Sequence, residues 1–189
     1  MNLQPTLEND RVRLSPLSLE NYKLISEIAS QPGLVQYSPG NIENPAGLQA
    51  YVDNALEARK RKQAIPFIIF DKKLRAFAGS TRYMHIDWKN KVLHIGATWI
   101  GKEFQGTGLN TAMKKLMLSY AFRDMDFEKI EFRIDERNTS SRKAVEKLGA
   151  QLEGVLRKNV YLDDGYKRNT CCYGLLRDEW LSKSTLPTQ

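Results

Sequence analysis

A strand-like run, Val92-Leu93-His94-Ile95-Gly96-Ala97-Thr98-Trp99-Ile100, leads through a short connection into Gln105-Gly106-Thr107-Gly108-Leu109-Asn110. A helix-like segment from Thr111 to Phe122 follows, with Met113, Leu116, Met117 and Tyr120 at helical spacing. The turn aims free backbone N–H groups and the positive end of a helix dipole at one point. Phosphate binds at such points, and glycines without Cβ atoms let the main chain approach the anion.

The spacing excludes two phosphate-binding patterns. A dinucleotide fingerprint needs a third glycine at the position of Thr111, and a P-loop needs Lys-Ser/Thr where Leu109-Asn110 follow Gly108. On the hexapeptide alone an ordinary strand-to-helix turn stays open. A second segment adds to it. Lys129-Ile130-Glu131-Phe132-Arg133-Ile134-Asp135 alternates like a strand and leads into Asn138-Thr139-Ser140-Ser141, a helix-like stretch and Lys147-Leu148-Gly149-Ala150. Polar residues cap such a helix at its start, and Gly149 suits a left-handed C-terminal cap.

Together these motifs resemble the GNAT superfamily of acetyl-CoA-dependent N-acetyltransferases. Gln105 and Gly108 match the family's Arg/Gln-x-x-Gly-x-Gly/Ala turn, while Asn110 departs at the third position, where Asn is expected to serve as a helix cap. Asn138, Ser141, Lys147 and Gly149 match the helix that flanks the pantetheine arm. Arg11-Val12-Arg13-Leu14-Ser15-Pro16-Leu17 resembles the first strand, and Tyr173 to Trp180 the last strand of the RimJ/RimL-like, ribosomal-protein N-terminal acetyltransferase branch. The resemblance implies an α/β fold with a mixed central sheet, splayed at a cofactor cleft and flanked by helices. It also implies acetyl-CoA as acyl donor.

Along the chain, Ser18 is expected to cap a helix to about Ser30, burying Leu19, Tyr22, Ile25 and Ile28. Asn44-Pro45 starts a second helix, cap then first helical position. Strands are expected over 65–71, 76–86, 151–161 and 166–176, the last two joined at Asp163-Asp164-Gly165. Residues 1–189 read as a single domain with a flexible tail from about 182.

Composition narrows the setting. No apolar run approaches bilayer length and no signal-peptide pattern opens the chain, so no membrane partner is expected. Adjacent Cys171 and Cys172 offer neither a scaffold disulfide nor metal-ligand spacing, which fits a reducing cytoplasm; no metal is expected. The net charge of +7 suits a polyanionic donor as well as a nucleic acid, and no RNA-binding motif or zinc finger accompanies it. A monomer or a homodimer both fit.

Amine acetylation needs a neutral amine, donors for the developing oxyanion and a proton for the departing thiolate. The resemblance places the oxyanion donors and pantetheine contacts at the backbone of Trp99 and Ile100. The pyrophosphate falls to Gln105, Gly106, Thr107, Gly108, Leu109 and Asn110, and the pantetheine or a bridging water to Asn138. His94, eleven residues before Gln105, is the first candidate base, sharing a face with Gly96 and Thr98 opposite Trp99. A structural histidine is the plain alternative. His85, Glu103, Asp135 or a water relay are the fallbacks. The family's usual acid, a tyrosine, is replaced by Val145; Ser141 is the candidate in its stead, with helix capping as its ordinary role. The loop from Gln31 to Glu43, with Tyr37, is expected to wall the acceptor site.

The expected activity is acetyl transfer to a primary amine, with a protein α-amine as one acceptor. Small-molecule acetylation of a polyamine, amino acid or aminoglycoside, or a non-catalytic CoA-binding module, are the alternatives.

Overall fold

A computed structural model describes residues 2–184. Its sheet has eight strands: β1 (Leu7–Glu8), β2 (Val12–Pro16), β3 (Ala64–Asp71), β4 (Ala76–Asp87), β5 (Val92–Ile100), β6 (Lys129–Asp135), β7 (Gln151–Tyr161) and β8 (Lys167–Leu176). The spatial order is β1-β2-β3-β4-β5-β6-β8-β7. Every pairing is antiparallel except β5 with β6, which is parallel because α3 (Leu109–Ser119) carries the chain across between them. The sheet does not close into a barrel.

Helix α2 (Pro45–Lys60) begins as its sequence predicts. Asn44 accepts the Gly47 N–H and Pro45 takes the first helical position. Leu48, Val52 and Ala55 go under it, against β3. On the other face α3 buries Met113 and Met117, and Tyr83 from β4 donates its hydroxyl proton to the Met117 carbonyl at 2.7 Å. The pattern of apolar residues along each element thus sets two helix layers on one sheet. Helix α4 (Thr139–Leu148) closes with Gly149 at φ 102°, the left-handed residue expected there.

Three expectations differ from the fold. The helix read over 18–30 is instead a 3₁₀ turn at Tyr22–Ile25 and a single α turn, α1 (Ser26–Ala29). The Asn21 side chain accepts the Ser18 N–H and donates to the Pro16 carbonyl, both at 2.9 Å, so local side-chain bonds replace a helical start. Leu19, expected inside, is half exposed. The helix expected from Thr111 begins at Leu109, and its C-terminal turn, Tyr120–Asp124, widens to π geometry. The last strand stops at Leu176, and Arg177–Ser184 forms a helix, α5, its first turn carrying Asp178 and Glu179 as the dipole favours. From 185 onward the expected tail lies outside the described residues.

Candidate active site

Strands β5 and β6 pair at three positions only: Val92 with Lys129, Leu93 with Ile130, His94 with Glu131. Beyond them the strands part. Ile95 to Ile100 and Phe132 to Asp135 become opposite walls of a cleft of about 760 Å³. The loop residues Pro32 to Ser38 and the first turns of α4 complete it.

A bulge in β5 decides which side chains face the cleft. Arg82 pairs with Gly96 and Ser80 with Trp99, so one residue of β4 opposes two of β5, with Ala97 at φ 46°. The extra residue inverts the alternation. Thr98 turns toward α3, where its hydroxyl meets Thr81 at 2.7 Å and Lys114 at 3.0 Å. Trp99 turns toward α2, its ring edge-on to Tyr51 at 5.9 Å. The expectation that His94 shares a face with Thr98 and opposes Trp99 is therefore corrected: simple alternation fails at the bulge. Gly101 donates its N–H to the Ala78 carbonyl on β4, so the Ile100 amide points away from β4 toward the gap and that of Trp99 points back to β4. Of the two amides expected at the cofactor, only that of Ile100 is turned to the gap.

The glycine turn sits at the outer end of the cleft. Gly106 and Gly108 have φ of 73° and 86°, and a Cβ on either would meet no protein atom within 4 Å. Backbone conformation requires glycine here, and the space in front of the turn is free for an anion. The first N–H groups of α3 have no intrahelical acceptor and face the same region. Gln105 donates its side-chain N–H to the Ile100 carbonyl at 3.0 Å, tying the turn to the strand. The hydroxyl of Thr107 donates to the Phe104 carbonyl at 2.7 Å and accepts from Arg11 at 3.3 Å. Asn110 does not cap α3. The cap position is Gly108, and the Asn110 Oδ1 is buried inside the first turn without a partner. The residues present fit the polyphosphate of an acyl-CoA through glycine backbone and a helix N-terminus, while the neighbouring Arg11 guanidinium is paired with buried Asp71.

On α4 the cap is Asn138, whose Oδ1 accepts the Ser141 N–H at 3.1 Å and the Ser140 hydroxyl at 3.0 Å. The Ser141 hydroxyl is thus not the cap, and the residue lines the cleft together with Val145.

His94 is buried, and its Nε2 meets Glu131 Oε2 at 2.9 Å. Burial drives its pKa down to about 4, opposed by Glu131 and assisted by Arg133 and His85, so the ring is neutral near pH 7. Burial pushes the Glu131 carboxyl up, but His94, Lys129 and Arg133 hold it below its ordinary value. His94 stands one residue before the cleft wall and does not itself line the cleft. Among the fallback bases, exposed His85 lies 4.9 Å from the His94 ring, and Glu103 accepts from Gln31 outside the cleft. Asp135 lines the cleft, but both its oxygens accept from Arg137, which keeps the carboxyl deprotonated despite burial.

Tyr37 lines the cleft. Its carbonyl accepts from buried Arg168 at 2.6 Å, and Gly40 donates to Asp163 at 2.9 Å, so the β7–β8 hairpin anchors the loop. Sequence reading missed Lys114 and Arg168 in the cleft lining, and Arg11 and Glu131 beside it. Only Lys114 carried a local signal: it falls three residues before Met117 and seven before Ala121, both buried. The others come from distant segments that only folding brings in.

A mixed sheet that parts beside a glycine turn and a helix N-terminus defines a class of acyl-CoA-dependent transferases. Residues 11–151 match the acetyltransferase (GNAT) domain, and the chain belongs to the GNAT acetyltransferase family. It is 28% identical over 143 residues to a Bacillus subtilis (strain 168) protein named "Putative ribosomal N-acetyltransferase YdaF", covering 73% of this chain and 75% of that one. Over 90 residues, 48% of each chain, it is 29% identical to the spermidine N(1)-acetyltransferase of Escherichia coli (strain K12). A GCN5-related N-acetyltransferase from Brucella melitensis superposes with a TM-score of 0.81 at 25% identity, over 94% of this chain and 81% of that one. The self-immunity acetyltransferase MccE, solved with acetyl-CoA and AMP, has the same fold, with a TM-score of 0.79 at 21% identity over 89% and 93% of the two chains. The protein is thus an N-acetyltransferase, and acetyl-CoA is the acyl donor of its family.

Proposed function

We propose that this enzyme acetylates the α-amino group of a protein or peptide N-terminus. One observation carries the choice of acceptor: the charged lining of the cleft is basic. Lys102, Arg133 and Arg168 stand against a single carboxylate, Asp135, which Arg137 neutralises, and buried Lys114 adds charge only in its protonated share. A polyamine would meet like charge there, at a cost that grows in a partly desolvated cleft. A peptide terminus brings one amine and a neutral backbone. The name of the Bacillus subtilis relative agrees with this reading, while that of the spermidine enzyme favours the rival.

Acetyl-CoA supplies an activated carbonyl and a thiolate leaving group. The turn from Gln105 to Asn110 holds its polyphosphate on main-chain N–H groups, and the Ile100 amide donates to the arm in the gap. Asn138 positions the arm at the start of α4. His94, neutral at pH 7 and oriented by Glu131, takes the proton of the amine through a water at the apex, since it stands just behind the cleft wall. Ser141 offers its hydroxyl to the departing sulfur. Tyr37 supplies one wall for the acceptor.

Thiol release from acetyl-CoA, followed across peptides with free α-amines, the same peptides blocked at the N-terminus, and polyamines, tests this. Turnover is expected with free N-termini and is expected to vanish on blocking even when a lysine is present. Faster turnover of spermidine than of any peptide would replace this reading with the small-molecule one.

A further inference from the structure

Lys114 is out of keeping with its surroundings. It projects from α3 toward the space between the parted strands. Its Nζ donates to the Thr98 hydroxyl on β5 at 3.0 Å and lies 5.8 Å from the centre of the Phe132 ring on β6. Both contacts lie beyond the last β5–β6 pair, so the amine lies at the gap, on its α3 side. It is 7% exposed, lines the cleft, and among the described residues forms no ion pair. The other lysines for which an ion pair is found, Lys60, Lys72, Lys91 and Lys129, keep a carboxylate close by.

Burying an ammonium without a counter-charge favours the neutral amine. Burial alone lowers the pKa of this group to about 7, so a substantial share is unprotonated at neutral pH. A neutral lysine that donates one N–H to Thr98 keeps its lone pair free. Lys102, the other lysine at the cleft, is exposed at the rim. A desolvated amine is a nucleophile, and the gap it borders is where the proposed function places the thioester arm.

We infer that Lys114 is a self-acetylation site of this enzyme, taking an acetyl group from acetyl-CoA bound in the gap between β5 and β6. The lone pair of Nζ attacks the thioester carbonyl carbon. The C–N bond forms as the C–S bond breaks, and the proton lost by nitrogen goes to the departing CoA thiolate. The products are Nε-acetyl-Lys114 and free CoA, and no further reactant is required. The modified side chain is neutral and longer, and it fills the gap. It therefore weakens binding of the next acetyl-CoA, which makes the reaction self-limiting at one acetyl group per chain.

The inference rests on acetyl-CoA entering this cleft, so binding and modification are measured separately. Calorimetry with CoA, which cannot acylate, reports binding to the unmodified protein. Incubation with acetyl-CoA and no acceptor, followed by peptide mass spectrometry, reports modification at each lysine, with exposed Lys60 as the marker of non-enzymatic chemistry. The expected result is CoA binding and acetylation of Lys114 at least tenfold faster than of Lys60, blocked by excess CoA. CoA affinity of the acetylated protein should fall at least tenfold. In Lys114→Met, whose apolar side chain suits the buried site, the dominant modification should disappear. Binding of CoA with Lys114 unmodified, or modified no faster than Lys60, overturns the inference alone. Absence of CoA binding overturns the cofactor placement and this inference with it.

Discussion

His94 and Glu131 are register partners at the last paired position of β5 and β6, and their side chains meet at 2.9 Å where the two strands part. The contact pins the closed end of the cleft. It also joins two titratable groups with opposite preferences: burial disfavours charge on either, and each favours charge on the other. The low pKa of His94 shows that burial wins for the imidazole.

Stability should fall as pH drops from about 6.5 toward 4. His94 has a folded pKa of about 4 against 6.5 for a free imidazole, so across that window the unfolded chain binds the extra proton. The contribution is fully present above the window and is lost on descending through it, with an upper size of roughly 3 kcal/mol. Glu131, held below its ordinary value, acts in the same direction at still lower pH. Urea melts at several pH values check this. His94→Gln should flatten the dependence between pH 6.5 and 4, and an equally steep loss in that variant would assign it to other groups.

His94→Ala should lower kcat by ~10²–10⁴-fold while leaving CoA affinity near normal, the usual cost of losing a general base. In the wild type the rate limb due to His94 should lie near pH 4 rather than near 6.5, because the ring is already neutral above that. Stopped-time assays across pH on both proteins read this. Near-normal turnover of the variant would move proton removal to water alone.

Gly108→Val should weaken acetyl-CoA binding at least tenfold, or ~1.4 kcal/mol. The residue sits at φ 86°, strained for valine, and its new side chain would point into the open space before the turn. Calorimetry, with circular dichroism to confirm folding, tests it. Unchanged affinity in a folded variant would remove the polyphosphate from this turn.

Tyr37→Ala should raise the acceptor KM or lower kcat/KM severalfold and leave acetyl-CoA affinity alone. The loop backbone stays anchored in this variant, because Arg168 holds the Tyr37 carbonyl rather than its ring. Arg168→Ala, by contrast, should release the loop and disturb both measurements. Acceptor kinetics indifferent to Tyr37 would leave the loop a connector.

Much of this molecule was written locally. Asn44 caps through its own side chain, and the left-handed Gly149 and the glycines 106 and 108 are required by backbone conformation at their own positions, so their types announce them. The glycines before a helix N-terminus announce a local anion site, and the resemblance of the two motifs implied the family and its donor. The site itself was less legible. One extra residue in β5 at Ala97 reverses the faces of Thr98 and Trp99, and a bulge is set by pairing with β4 rather than by the strand's own pattern. Asn110 looked like a cap, yet the cap position lies two residues earlier, at Gly108, and the helix encloses Asn110. The length of the β5–β6 ladder, the burial of Lys114 beside the gap and the reach of Arg168 to the Tyr37 carbonyl depend on segments far apart in the chain. Burial and desolvation are properties of the packed whole, and they set whether His94 and Lys114 carry charge; tertiary structure alone decides that.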